Sequence, residues 1–577
     1  MNKRLPPFAC VLALLPAACL AQAVPPEAGI LQPRSTPAPT PTPTPTPASA
    51  PAAAPLLAPP PAARPPTPRG DIAEGSLEVR AFRFSGDLTG LPVDEMARML
   101  AGDTGKVVTL KDLHGVAARI ERWLLDERRR IVAKAWVPLQ DVQEGVVEIR
   151  ILQGTVGQLR TDPKFVAGAA RDGALAAAGA VLAAGAPIVR EPLEEAVYRV
   201  SDYLGMPARA VLVPAAKLGE YDVVFEVEQG QRVNAGIGVD NTGNRYTSEW
   251  RDALSLRVAN LSGRADQLAV YAQALTPNQR NLHLSYQLPV GRDWRLGATA
   301  QASRYRLTGV FAPLEARGDT RMLALNLGRA VQRTRTRNVY VSAELLQRRL
   351  ENKQLGFITS KHQVSELSFG ARTDWSAGEV LGNGWLNLSL GHVDVGAAGA
   401  DAVTDPTSAR LHGRFAKLGF GFSRTQPLGV QGANGDLVVK LSGQLASKNL
   451  DSSETFLLGG MGAVRAYPAG ETAGDQSAIA QLEYHRRLGE GLRAFAFYDH
   501  GWIELHRHPW TGFTGRNRVQ LKGTGVGVTW AAHRRVELSL IGAAKVGRNP
   551  LADPVTGNDS DGRSRRYRIW SFATVRY

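Results

Sequence analysis

Cysteine is nearly missing from this 577-residue chain: Cys10 and Cys19 are its two copies, and both fall within the first 23 residues. Beyond that stretch no disulfide and no thiolate metal site is expected. Long apolar runs are missing as well. After the N-terminus no eighteen consecutive apolar residues occur, so no transmembrane helix is expected and only a β-barrel could cross a bilayer. There is no nucleophile elbow, no phosphate loop and no pair of carboxylates in a recognisable frame, so neither an enzyme nor a cofactor is expected. His500 and the His506-Arg-His508 triplet have no carboxylate or cysteine at ligand spacing, and no metal is expected there. Gly523-Thr-Gly-Val-Gly527 lies inside a strand pattern rather than between a strand and a helix, where glycine makes room on a crowded wall. The net charge of +15 is not gathered into a stripe interleaved with aromatics, so no nucleic-acid partner is expected. Scattered arginines suit a water-filled lumen or an anionic membrane surface.

Turning to what is present, residues 1–23 combine Lys3 and Arg4, an apolar stretch from Phe8 to Leu20, and Ala21-Gln22-Ala23, which reads as a secretory signal cleaved after Ala23. Cys19 is an alternative lipidation site, but Pro16 stands where a lipobox takes an aliphatic residue. Residues 24–76 are proline-rich: seventeen of the 36 prolines fall between Val24 and Gly70, too many for helix or sheet, which implies a stiff polyproline II tether. It is either an inert periplasmic spacer or a segment that threads or regulates a pore.

From Leu77 the pattern changes. A period-2 strand, Leu77 to Gly86, precedes helical patterning over 93–100 and 110–125 and strands over 131–136 and 146–152. This β-α-α-β-β order across 77–155 resembles a POTRA domain, the polypeptide-transport-associated module. Pro138, Gln140, Asp141 and Gly145, followed by an apolar strand, resemble the closing strand pair of the first POTRA domain in two-partner secretion transporters. A looser second copy spans 156–231, with an alanine-rich stretch read as a helix, a helix over 191–203, and strands over 208–213 and 221–227.

Residues 232–577 read as strands throughout. Segments such as Asn281 to Leu288 alternate polar and apolar residues without error, the pattern of a transmembrane barrel. Sixteen strands are expected, starting near Val233, Asp252, Gln267, Asn281, Trp294, Arg321, Arg337, Gln363, Trp385, Phe415, Asp436, Ser477, Leu492, Val519, Arg535 and Arg566. With the N-terminal modules in the periplasm, odd-to-even links lie outside the cell. Long loops are expected at 309–319, 351–361, 396–409, 448–476, 506–518 and 549–565, and short turns at 333–336, 487–491 and 532–534. The link at 276–280 is a short exception on the extracellular side. The fold class is therefore an all-β, 16-stranded antiparallel transmembrane β-barrel preceded by two α+β POTRA domains, placed in the outer membrane of a Gram-negative cell.

Within the loop 449–476, Val464-Arg-Ala-Tyr467 resembles the Val-Arg-Gly-Tyr element of the outer-membrane assembly and secretion superfamily. Phe497, Asp499 and Gly501 resemble its partner motif on the thirteenth strand. The resemblance, closest to two-partner secretion transporters of the haemolysin-activator type, implies that the loop folds into the lumen and that Arg465 pairs with Asp499, with Glu483 as the reserve partner. A guanidinium between carboxylates in a confined lumen makes charge-assisted, bidentate bonds. Ala466 stands where the motif has glycine, which questions the loop geometry if that position needs positive φ. The family sometimes carries an N-terminal plug helix, but 24–70 has no amphipathic run to form one. The resemblance further implies that an unfolded, β-helical exoprotein is captured by strand addition on the POTRA edges and translocated in extended form to the cell surface. It also implies outer-membrane lipid around the barrel and insertion by the barrel assembly machinery, which reads the terminal Tyr577. A barrel insertase and a passive solute porin are the alternatives.

Overall fold

A computed structural model describes residues 76–163, 166–227, 232–429 and 435–577. The signal segment, the proline-rich tether and the question of a plug helix lie outside the described residues.

The first module splits where a single strand was expected from Leu77 to Gly86. β1 (Ser76–Val79) and β2 (Ala81–Gly86) join different sheets. β1 pairs with β3 (Lys106–Thr109), whereas β2 runs parallel to the central β5 (Val146–Gln153), which pairs on its other side with β4 (Ala133–Trp136). The break falls at Arg80, whose N–H donates to the Gly145 carbonyl at 2.8 Å. α1 (Val93–Leu100) and α2 (Leu110–Asp126) cover the larger sheet, and a capping box between Thr109 and Asp112 starts α2. Met96, Ile120, Trp123, Leu124, Ile149 and Ile151 fill the core between them.

In the second module β6 (Thr155–Thr161) runs parallel to the central β8 (Glu220–Val227), which pairs antiparallel with β7 (Ala208–Pro214). The alanine-rich stretch forms α3 (Gly168–Gly179), packed on α4 (Arg190–Leu204). Ala170, Ala174 and Ala178 lie on one face of α3, and their small side chains let the two helices approach closely. This core also takes in Ala259 and Ala265 from the base of the barrel. Arg333 grips Asp202 through two hydrogen bonds of 2.5 and 2.8 Å, and Arg199 meets Asp293 at 2.6 Å. The module is thus docked on the periplasmic turns.

Sixteen antiparallel strands close the barrel. Strands 1 to 5 are Val233–Asp240, Arg251–Ala259, Gln267–Gln273, Gln279–Val290 and Trp294–Arg306. Strands 6 to 10 are Arg317–Arg333, Arg337–Gln354, Phe357–Ala377, Val380–Val395 and Gly413–Pro427. Strands 11 to 16 are Asp436–Ala446, Gln476–Gly489, Leu492–Glu504, Arg518–His533, Val536–Lys545 and Tyr567–Arg576. Leu323, Leu325, Leu345, Phe369, Leu388, Val526 and Leu540 are exposed on the outer surface, an apolar band facing lipid. Strand 16 closes on strand 1, and Tyr577 extends that pairing through its N–H to the Ala235 carbonyl at 2.8 Å.

One expected loop is corrected. Residues 351–361 are not a long loop: strands 7 and 8 run to 18 and 21 residues and meet in a tight turn at Leu355 and Gly356. A tilted strand crosses a bilayer in about 9–11 residues, so this hairpin projects well beyond the membrane while keeping its ladder.

Candidate functional site: the loop folded into the lumen

The link between strands 11 and 12 turns inward instead of outward. Its middle is a short hairpin, Phe456–Leu458 against Thr472–Gly474. Beyond it Gly459 and Gly460, at φ of 115° and 89°, make the left-handed bends that a residue with a Cβ resists. A turn closed by the Tyr467 N–H on the Val464 carbonyl, 3.2 Å, then presents Arg465 at the tip.

Arg465, Asp499 and Glu483 come together there, each no more than 4% exposed. Arg465 Nε and Nη2 donate to Asp499 Oδ2 and Oδ1 at 2.9 and 2.6 Å, and its backbone N–H donates to Oδ2 at 3.0 Å. Nη1 donates to Glu483 Oε1 at 2.7 Å. The guanidinium lies 3.6 Å from the centre of the Phe497 ring, a cation–π contact as well as an ion pair. The Arg465 carbonyl accepts from Trp570 Nε1 of strand 16 at 2.8 Å. Gln481 donates to the Ala463 carbonyl at 2.9 Å, and Lys440 and His485 hold the far oxygen of Glu483. A buried arginine facing two carboxylates is stable only when its remaining polar atoms are also satisfied, and these neighbours satisfy them.

Shape matches charge. Val464, Ala466 and Tyr467 are buried with Leu458, Ile479, Leu521 and Trp570. At Gly501 a Cβ would stand 2.4 Å from Leu458 Cδ1 and 2.9 Å from Val464 Cγ2. At Gly523 it would stand 2.8 Å from the Ala466 methyl. Gly525 and Gly527 likewise leave room for the Phe497 and Phe495 rings. Ala466 does not adopt positive φ, so alanine in the glycine position leaves the backbone unstrained.

Not every residue singled out in the sequence joins this site. Pro138, Gln140, Asp141 and Gly145 sit in the first module. There the Gln140 side chain accepts from the Glu148 N–H at 2.7 Å and donates to the Glu148 carbonyl at 2.9 Å, standing in for a missing strand residue. Gly145 turns at φ 73° against the Glu78 carbonyl, while Asp141 is exposed. Ser85 and Arg150 hold the Glu148 carboxylate below its usual pKa. Sequence reasoning missed Trp570 and Lys440 at the lock, whereas the period-2 parity of strand 12 already put Gln481 and His485 on the face of Glu483; it also missed a second group of buried charges on the loop, Asp451 and Glu454.

A barrel with docked POTRA modules and a loop locked in its lumen defines an outer-membrane barrel protein that works on other polypeptides. Residues 219–530 match the haemolysin secretion/activation protein family ShlB/FhaC/HecB. The chain belongs to that family: it is a transporter of the two-partner secretion type, which secretes a partner exoprotein across the outer membrane. It is similar, at 27% identity over 76% of its length and 78% of the relative, to the heme/hemopexin transporter protein HuxB of Haemophilus influenzae. It is 24% identical to the outer membrane transporter CdiB of Dickeya dadantii, over 79% of this chain and 80% of that one. The solved structure of CdiB from Escherichia coli superposes with a TM-score of 0.63 at 17% identity, covering 89% of this chain and 93% of that one. BamA from Haemophilus ducreyi superposes at 0.51 with 15% identity, covering 87% and 100%, a likeness of fold. The family is one of transporters, not of enzymes. With the family fixed, the insertase and passive-porin alternatives give way to secretion.

Proposed function

We propose that the Arg465 lock holds the loop in the lumen as the working state of the transporter, with Val464, Tyr467, Phe497 and Gly501 shaping its seat and Asp499 and Glu483 binding its charge. One observation carries this reading: four hydrogen bonds from a single buried arginine reach two adjacent strands. In this reading the chain divides into modules at 77–155 and 156–231 and a barrel from 232. The modules capture an unfolded client of β-helical type by strand addition. Pro138, Gln140, Asp141 and Gly145 shape that capturing sheet, and Tyr577 serves the assembly machinery. The chain catalyses no reaction, binds no cofactor and takes no nucleic acid. The client's folding outside the cell supplies the driving force.

The test is Arg465→Ala in the full-length protein. Removing one partner of a buried ion pair costs about 3–5 kcal/mol, so export of the partner exoprotein should fall at least about tenfold while heat-modifiable migration still reports a folded barrel. Export at the wild-type rate would sink the proposal.

A further inference from the structure

The outgoing leg of the loop carries buried charges that the Arg465 lock does not use. Asp451 and Glu454 are 1% and 2% exposed. Glu454 accepts hydrogen bonds from Arg348 on strand 7 and from Lys417 on strand 10, and Lys417 also lies 3.7 Å from Glu366 on strand 8. Asp451 Oδ2 stands 2.5 Å from His362 Nδ1 on strand 8, and His362 Nε2 stands 2.7 Å from Asp401 in the link between strands 9 and 10. Leu450 adds apolar contact to this wall, with Leu350, Val364, Val393 and Phe415.

The loop's contacts run far round the ring. The outgoing leg meets strands 7, 8 and 10, and the tip meets strands 12 and 13, with Trp570 of strand 16 on the Arg465 carbonyl. From strand 7 to strand 16 the shorter way round is seven steps of a possible eight, so the loop's outermost contacts lie on nearly opposite walls. A sixteen-stranded barrel leaves an aqueous channel, and here that channel is crossed by the protein's own chain. An extended client needs the crossing to open.

We propose that the Glu454 anchor is where the crossing opens: during export the outgoing leg leaves strands 7, 8 and 10 while the Arg465 tip stays seated. The inference rests on the transport function of the family. One difference between the anchors supports it. The tip is held by shape as well as charge, in the seat left by Gly501 and Gly523. The outgoing leg is held mainly by charge, and Arg348, Lys417, Asp451 and Glu454 exchange each other for water once the lumen floods, which lowers the cost of separation. Arg348, Lys417, His362, Asp451 and Glu454 are thus positioning residues for translocation.

The experiment uses the full-length transporter with two readouts. Because both native cysteines lie within residues 1–23, Glu454→Cys with Lys417→Cys gives a unique thiol pair in the barrel. Side chains that meet tip to tip hold their Cα atoms beyond the roughly 7 Å reach of a disulfide, so a short, reducible bis-thiosulfonate makes the bridge. Bridged transporter should export its partner at least about tenfold less than the same protein after reduction, while either single cysteine variant exports equally before and after the same treatment. Separately, Glu454→Gln in planar lipid bilayers should raise mean channel conductance at least about twofold, a readout needing no client, and Glu454→Asp should return it toward wild type, since it restores the charge. Equal export by bridged and reduced protein overturns the proposal, as does a wild-type conductance for Glu454→Gln. Absence of export from the reduced and the wild-type protein alike would instead count against the transport function itself.

Discussion

Two walls of one barrel are built on opposite plans. Strands 6 to 9 run 16 to 21 residues, and strands 7 and 8 carry their ladder far past the membrane. Strands 12 to 16 run 10 to 16 residues and give up side-chain volume at Gly501, Gly523, Gly525 and Gly527. The first wall is made to extend. The second is made to seat the tip of the loop. Where a strand hosts an internal partner, bulk is removed from the inner face and the outer face stays apolar: Val526 and Val528 alternate with those glycines and face lipid.

The largest effect should come from Asp499→Asn on the receiving wall. It keeps the shape and removes the charge, leaving Arg465 buried against one carboxylate at a cost of about 3–5 kcal/mol. Trypsin cleavage after Arg465 in intact cells should rise with falling export, and Arg465→Lys should fail in the same way because an ammonium lacks the planar fork. A smaller but clear effect is expected from Gly501→Val, which keeps every charge and fills the seat. Overpacking of about 1–3 kcal/mol predicts roughly a tenfold or greater loss of seated loop, read by the same cleavage assay. If Gly501→Val exports normally, shape has no part in the lock. The smallest effect belongs to the extending wall: replacing 353–359 with Asn-Gly closes Asn352 on Ser360 through a two-residue turn. Export should stay within about twofold of wild type, since only ladder beyond the roughly 9–11 residues that cross the membrane is removed. A tenfold loss would erase the distinction between the walls.

Most of the barrel was legible in the sequence because lipid enforces period-2 alternation on each strand, and the strand count follows from it. The same signal misled at 351–361. Polar residues such as Asn352, Lys353 and Ser360 look like a loop, yet above the membrane a ladder needs no apolar face to persist. In the first module, β3 was missed because four residues beside a helix start carry too little pattern, and one expected strand became β1 and β2 because the break at Arg80 depends on a glycine 65 residues away. At the site, Arg465 and Asp499 were legible through a motif. Glu454 was not, because a carboxylate on a loop looks solvated until the fold supplies Arg348 and Lys417, more than a hundred and nearly forty positions distant.

Ala466 and Gly523 carry one further consequence. The loop has a methyl group where the motif has none, and the facing wall lacks a side chain where the methyl arrives, 2.8 Å from the site of a Cβ. The two positions share a fixed volume, as a key and its keyway do, although 57 residues separate them in the chain. Bulk cannot be added to both, and so a methyl at 523 calls for the removal of the one at 466.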